Sequence, residues 1–362
     1  MNDIRLITEK EFCNNEKEIR LVTLRNANGL AAQFTNYGAR WVSMWAPDNS
    51  GSFKDIVLGF DHVEKYRSAN EKYHGAIVGR VCGRISNASF SLSGRTYRLN
   101  ANDVYGKPHP NHLHGGITAF HNSVWRTEEF ISRSGEESVL FAYISKDGEE
   151  GYPGNLITKV RYTLRNDNTL EMVCEAETDN TTLVNLTNHA FFNLSGGENP
   201  DAAHQLLQVN SCEIVECDAE LIPTGKLINI ENTSYDFRRL RSISDSIKKG
   251  DKQVQADKGF STAFVLSKKD NGDLVYASAL YDAESGRKMD IYTDQPSLQV
   301  YTAYFMDGSD VGKNNVKYYQ RAGIALEAQG FPDAINRPEF PSIILNPGQT
   351  YRHAAEYRFG VQ

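Results

Sequence analysis

Glu327 stands in the run Ala322-Gly323-Ile324-Ala325-Leu326-Glu327-Ala328-Gln329-Gly330-Phe331, which reads as a buried strand bounded by glycines. Burial disfavours an ionised carboxylate and raises its proton affinity, so Glu327 is a candidate proton acceptor. Gln329 shares its face of the strand, and Pro332-Asp333-Ala334-Ile335-Asn336 follows. An internal ion pair is the competing account of this carboxylate. Arg84, in Gly79-Arg80-Val81-Cys82-Gly83-Arg84, is the candidate partner, and Arg80 reads as the solvated or structural arginine of the two.

Histidines supply the complementary chemistry. The segment His109-Pro110-Asn111-His112-Leu113-His114-Gly115-Gly116 carries three, and in an extended conformation His112 and His114 share a face, which opens a metal reading. A cupin-type site needs a glutamate shortly afterwards; Ile117, Thr118 and Ala119 stand there instead, so no metal is expected. In Asn185-Leu186-Thr187-Asn188-His189, alternation puts Asn185, Thr187 and His189 on one face, where the Asn and Thr can orient the ring. A carboxylate and two histidines can move protons without a metal or cofactor, and no cofactor is expected. The chain has no Gly-x-Ser-x-Gly elbow and no phosphate loop. General acid–base chemistry on a neutral polar substrate remains, with Tyr105, Phe191, Phe192, Tyr301, Tyr304 and Phe331 able to pack on the apolar face of a sugar.

The elements that must position these groups are short and alternating, punctuated by Gly, Asn, Asp and Ser, as in antiparallel strands and hairpins. Ser89-Phe90-Ser91-Leu92 and Thr96-Tyr97-Arg98-Leu99 flank a Gly turn, and Ser138 to Ile144, Ile157 to Leu164 and Thr169 to Glu177 continue the pattern. Helical periods are scarce: Phe60 to Ser68 and Ser242 to Gly250 make one to three turns at most. Asp307 to Lys317 is polar and reads as a long surface loop. With no linker, charge block or internal repeat, residues 1–362 are expected to form one all-β domain, a single large antiparallel β-sandwich.

Bulk composition narrows the partners. The 362 residues are 40% hydrophobic and 23% charged, which supports a sizeable core. Net charge is −7 and the basic residues form no long block, arguing against nucleic acid or an anionic membrane as partner. Cys13, Cys82, Cys174, Cys212 and Cys217 are odd in number and none forms a Cys-x-x-Cys pair, so reduced thiols in the cytoplasm are expected. Met1-Asn2-Asp3-Ile4-Arg5 lacks the charge and apolar pattern of a signal peptide, and no apolar stretch approaches the ~18 residues of a membrane span.

Together the motifs resemble the aldose 1-epimerase (galactose mutarotase) family along nearly the whole chain. They run, in order, through Asn36-Tyr37-Gly38-Ala39, Asp55 to Asp61, Gly79-Arg80 to Arg84-Ile85, Asn111-His112-Leu113-His114-Gly115-Gly116 and Asn185 to His189. Pro223-Thr224-Gly225, Tyr235 to Arg238, Gln299-Val300-Tyr301-Thr302, Leu326 to Gln329, Pro332-Asp333-Ala334 and Asn346-Pro347-Gly348 complete the series. The resemblance implies a large β-sandwich that opens and recloses an aldopyranose ring, with a small-molecule sugar as substrate and a monomer or homodimer as the assembly. It implies Glu327 as the base at the anomeric hydroxyl, His189 as the acid at the ring oxygen and His114 as a hydrogen-bonding group beside them, with Arg84 and Gln299 on sugar hydroxyls.

Departures from the family pattern fall on the groups that read hydroxyls. Where many members carry Gly-Tyr-Asp-His-Asn-Phe, this chain has Gly259-Phe260-Ser261-Thr262-Ala263-Phe264, so a carboxylate acceptor is replaced by Ser261. Gly83 stands in place of the usual Asn before the binding Arg, Tyr304 in place of another Asn, and the Lys107-Pro108-His109-Pro110 loop is unusual. Catalysis with altered substrate preference is the expectation. A non-catalytic sugar-binding or sensing protein on the same scaffold is the alternative, and a metal-dependent isomerase using His112 and His114 is a third.

Overall fold

Ser89–Leu92 and Arg95–Arg98 pair antiparallel across Ser93-Gly94, both of which have positive φ, the geometry that matches a two-residue turn to the twist of its strands. The structure is a computed structural model and describes all residues except 1–3, 15, 106–109, 134, 251 and 267–271. Met1 to Asp3 and Lys107, Pro108 and His109, singled out above, lie outside the described residues. The three predicted segments between Ser138 and Glu177 become the strands Glu136–Ser145, Leu156–Arg165 and Thr169–Thr178, each with apolar residues alternating on the buried face.

The architecture is all-β. A nine-stranded antiparallel sheet contains those three strands together with Arg126–Arg133, Tyr351–Val361, Arg287–Thr293, Val275–Tyr281, Leu206–Val209 and Arg241–Ser242. A six-stranded sheet runs in the order Phe191–Phe192, Ile324–Gln329, Ser297–Tyr301, Ser261–Val265, Glu213–Cys217 and Pro223–Asn229. The two share one apolar core: Val139, Phe141, Val160 and Met172 of the first pack in the same cluster as Phe264, Leu298, Val300 and Leu326 of the second. Burying each such side chain contributes ~1.5–3 kcal/mol, which fixes the face each strand turns inward. The helices predicted between Phe60 and Ser68 and between Ser242 and Gly250 appear as Val63–Ser68 and Ile243–Lys248. Among the described residues no helix is long and apolar enough to cross a membrane.

The alternation decides where chemistry can go. Ile324, Leu326 and Ala328 join the shared core, so Glu327 and Gln329 face the other way. On the next strand Leu298 and Val300 enter the core, which leaves Gln299 and Tyr301 beside them, and Gln299 pairs directly with Glu327 in register. One strand further, Ser261 pairs with Tyr301 and Ala263 with Gln299. Three strands therefore present one polar surface on the outer side of the six-stranded sheet.

The stretch Asp307 to Lys317, expected as a long surface loop, lies at the surface and is tied down there. The largely buried ammonium of Lys313 donates to the carbonyls of Val42 and Val57 and pairs with Asp55, while the Asp310 carboxylate accepts the Asn70 and Glu71 N–H groups at 2.7 and 2.9 Å.

Candidate active site

A cleft of about 670 Å³, counting its open mouth, lies on this polar surface. That is a size for one small ligand. Its floor is Ser261, Gln299, Tyr301, Glu327 and Gln329; its walls include Glu71, Tyr73, Gly83, Arg84, Tyr105, His114, His189 and Phe305.

Glu327 and His189 meet at the bottom, with Glu327 Oε1 3.6 Å from His189 Nε2, too long for a direct hydrogen bond, and both side chains almost wholly buried. Glu327 Oε2 and His189 Nδ1 are buried with no hydrogen-bond partner among the described residues. The backbone of His189 is fixed by its N–H donating to Ala76 and its carbonyl accepting from Gly75, both at 2.9 Å. Its ring is held by packing, not by the Asn and Thr expected to orient it. Asn185 bonds the Gly330 backbone and Asn188 bonds Gly75 and the Tyr162 hydroxyl. Ring centroids of Phe191, His114 and Tyr73 lie 4.9, 5.3 and 5.7 Å from that of His189.

His114 is aimed by a turn. Its own φ is 52°, and Gly115 follows at 84°, where a Cβ would sit 1.8 Å from the Gly79 carbonyl oxygen, so only glycine fits. The turn sends His112 and His114 apart, which corrects the expectation that they share a face. His112 donates from Nδ1 to the Asn100 carbonyl and packs on Tyr152, away from the cleft. His114 Nδ1 accepts the Gly83 N–H at 3.2 Å, so the neutral ring carries its proton on Nε2 and offers a donor. Among the described residues no group of three or more His, Cys, Asp or Glu is arranged to hold a metal.

Arg84 is not the ion-pair partner of Glu327. Its Nε and Nη2 donate to Asp103 at 2.6 and 3.3 Å, and Glu327 has no Lys or Arg partner among the described residues. Arg80 is buried rather than solvated, bonded to Ser145, Thr182 and the Pro153 and Lys146 carbonyls. Gln299 donates to the Ser261 hydroxyl at 3.1 Å, and Gln329 accepts from the Cys82 thiol at 2.9 Å. Tyr304 packs its ring 5.5 Å from that of Tyr301 and is not among the residues lining the cleft. Of the aromatic residues named from the sequence, Tyr105 and Tyr301 reach the cleft while Phe191, Phe192 and Phe331 are buried in packing clusters. Tyr73 and Phe305 were not anticipated, nor were Glu71 and Asp103.

Burial shapes the electrostatics. It pushes the Glu327 carboxyl up to about 8, with the Glu71 carboxylate adding to the rise, and holds the His189 imidazole down at about 4. The His114 ring is held well below the ordinary histidine range by burial and by neighbouring His189 and Arg84. A carboxyl whose proton affinity is raised and an imidazole whose proton affinity is lowered therefore stand side by side in the cleft.

A family model for aldose 1-epimerase matches residues 20–358. Galactose mutarotase of Bos taurus is 36% identical over 332 residues, 92% of this chain and 92% of its own length. Aldose 1-epimerase of Escherichia coli (strain K12) is 34% identical over 342 residues, 94% of this chain and 95% of its own. Among solved structures, an aldose epimerase homologue from C. elegans superposes with a TM-score of 0.84 at 28% identity, covering 95% of this chain and 99% of that one. Galactose 1-epimerase from Lactobacillus acidophilus NCFM does so with a TM-score of 0.80 at 26% identity, covering 95% and 98%.

Proposed function

The chain belongs to the aldose 1-epimerase family, and from that premise we propose how its cleft opens and recloses an aldose ring. As an isomerase of the mutarotase type it interconverts α and β anomers. Glu327 takes the proton of the anomeric hydroxyl while His189 gives a proton to the ring oxygen. The bond from C1 to the ring oxygen breaks, leaving an open-chain aldehyde. Rotation about the C1–C2 bond presents the other face, and reclosure returns the protons by the reverse route.

The observation that supports this assignment is the side-by-side burial of His189 Nε2 and Glu327 Oε1, 3.6 Å apart in one cleft. The two reacting oxygens are bonded to one carbon, so their acid and base must be neighbours. A carboxylate forced upward is the stronger base once ionised, and an imidazole forced downward the stronger acid once charged. His114 donates from Nε2 beside the reacting oxygens, and Arg84 and Gln299 bind hydroxyls. Ser261 and Gly83 in the lining, with Tyr304 packed against Tyr301, alter which hydroxyl pattern is preferred. The sugar is a small molecule held by one chain, residues 1–362 acting as a single unit.

Polarimetry or exchange NMR over a panel of aldoses tests the reading. Glu327→Gln is expected to lower the rate by about 10² to 10⁴-fold with sugar affinity roughly kept. Unchanged mutarotation in that variant would remove the base assignment. Equal efficiency on galactose and glucose would remove the altered preference.

A further inference from the structure

The cleft holds a second buried carboxylate that the proton transfers leave idle. Glu71 is 5% exposed and lines the cleft with Glu327. Its Oε1 accepts both the Tyr73 N–H and the Tyr105 hydroxyl, each at 3.1 Å. Its Oε2 accepts no hydrogen bond from a described residue, and no described cation pairs with it. The nearest guanidinium in the lining, that of Arg84, is already committed to Asp103. Lining the cleft, this carboxylate offers an acceptor to a ligand that carries donors. Sugar hydroxyls are donors of that kind.

Resting on the mutarotase reading of this cleft, we propose that Glu71 is a specificity-determining residue whose Oε2 accepts a ring hydroxyl of a neutral aldose. The acceptor carboxylate absent at Ser261 on the floor is thereby supplied from a wall of the same cleft. The surroundings fit a sugar: Tyr105 lies 6.3 Å from Tyr73 and 5.4 Å from Phe305, centroid to centroid, so apolar ring faces flank the acceptor. The backbone is fixed as well, since Asp310 accepts the Glu71 N–H. Asp310, Tyr73, Tyr105, Tyr301 and Arg40 are the titratable and charged groups around Glu71; His189, Cys82, Tyr357 and Glu71 itself surround Glu327.

Glu71→Gln keeps an acceptor for Tyr73 and Tyr105 but removes the charge. Wild type and variant are compared in binding titrations and mutarotation with one aldose and its deoxy analogues at each ring position. Wild type is expected to reject one analogue by about 10-fold or more, the worth of a hydrogen bond to a charged group. In Glu71→Gln that rejection shrinks to about threefold or less, and KM for the parent sugar rises more than kcat falls. The alkaline limb of the rate profile also moves to lower pH, because the charge that lifts Glu327 is gone. A purely structural Glu71 would lower the melting temperature while leaving both the deoxy pattern and the limb in place, and that result overturns the proposal. Binding is scored apart from turnover. A wild type that binds sugars with the Glu71-dependent pattern but never mutarotates them upholds the subsite and removes the mutarotase reading.

Discussion

Five residues of the cleft come from three adjacent strands at fixed spacing, whereas Glu71, Tyr105 and His114 come from irregular segments and Arg84 from a two-residue strand paired with His112–Leu113, all held by side-chain hydrogen bonds. On the floor, the shared core that fixes Leu298, Val300 and Leu326 also fixes Gln299, Tyr301 and Glu327, because neighbours on a strand take opposite faces. Position there is a by-product of folding. On the walls each group depends on one or two polar contacts, such as Asp103 for Arg84 and the Gly83 N–H for His114. The difference separates a region whose side chains, Glu327 among them, are fixed by the core from one that can be retuned residue by residue.

That contrast can be broken from the floor first. Leu326, 1% exposed and adjacent to the base, faces the core. Leu326→Ala is expected to lose about 2–5 kcal/mol of unfolding free energy, read by denaturant titration. A loss below that range would mean the floor is not fixed by the core. The pH profile sharpens the same point. Ring opening needs one proton on the Glu327–His189 pair, and the pair holds one between about 4 and about 8. Inside that window the proton rests mainly on Glu327, and the reactive form, with Glu327 ionised and His189 charged, is a constant minor fraction; below it both groups are protonated and above it neither is. The rate is expected to hold across the window and fall about tenfold per pH unit outside it. A profile with a single limb inside the window would refute the pairing. On the wall, Asp103→Asn releases Arg84 from its charged partner, and KM is expected to rise about 10-fold with a smaller change in kcat. A change in kcat alone would place Arg84 with the chemistry instead. The smallest effect is expected at Ser261→Asp, which returns a carboxylate to the floor beside Gln299 and should shift the ratio of kcat/KM between galactose and glucose by about three- to tenfold. An unchanged ratio would show that this corner reads no hydroxyl.

The floor was legible in the sequence because alternation is a local rule. Glycines bounding Ile324 to Gln329, with apolar residues at every second position, announce a strand with Glu327 turned from the core. The antiparallel architecture followed from the same rule. The walls obey no such period. Glu71 meets Tyr105 34 residues away, and Arg84 meets Asp103 19 residues away, across loops whose course sequence spacing does not set. For that reason Arg84 was assigned a partner it does not have. His112 and His114 were misplaced because one residue in a left-handed conformation reverses a prediction made for extended chain.

Lys313 and Asp310 bear on the thermodynamics of binding. Lys313 is fastened to two carbonyls and to Asp55 of the short strand Phe53–Asp55, and Asp310 on the same stretch grips the N–H groups of Asn70 and Glu71. The segment bearing Glu71 is thus immobilised through a chain of contacts that ends in the core. A sugar entering the cleft orders little of the protein around that carboxylate, since the loss of conformational entropy occurred when the chain folded. The complex gains affinity from stillness as well as from contact. Loosening Lys313 would weaken sugar binding through an unfavourable entropy while leaving every cleft residue in place.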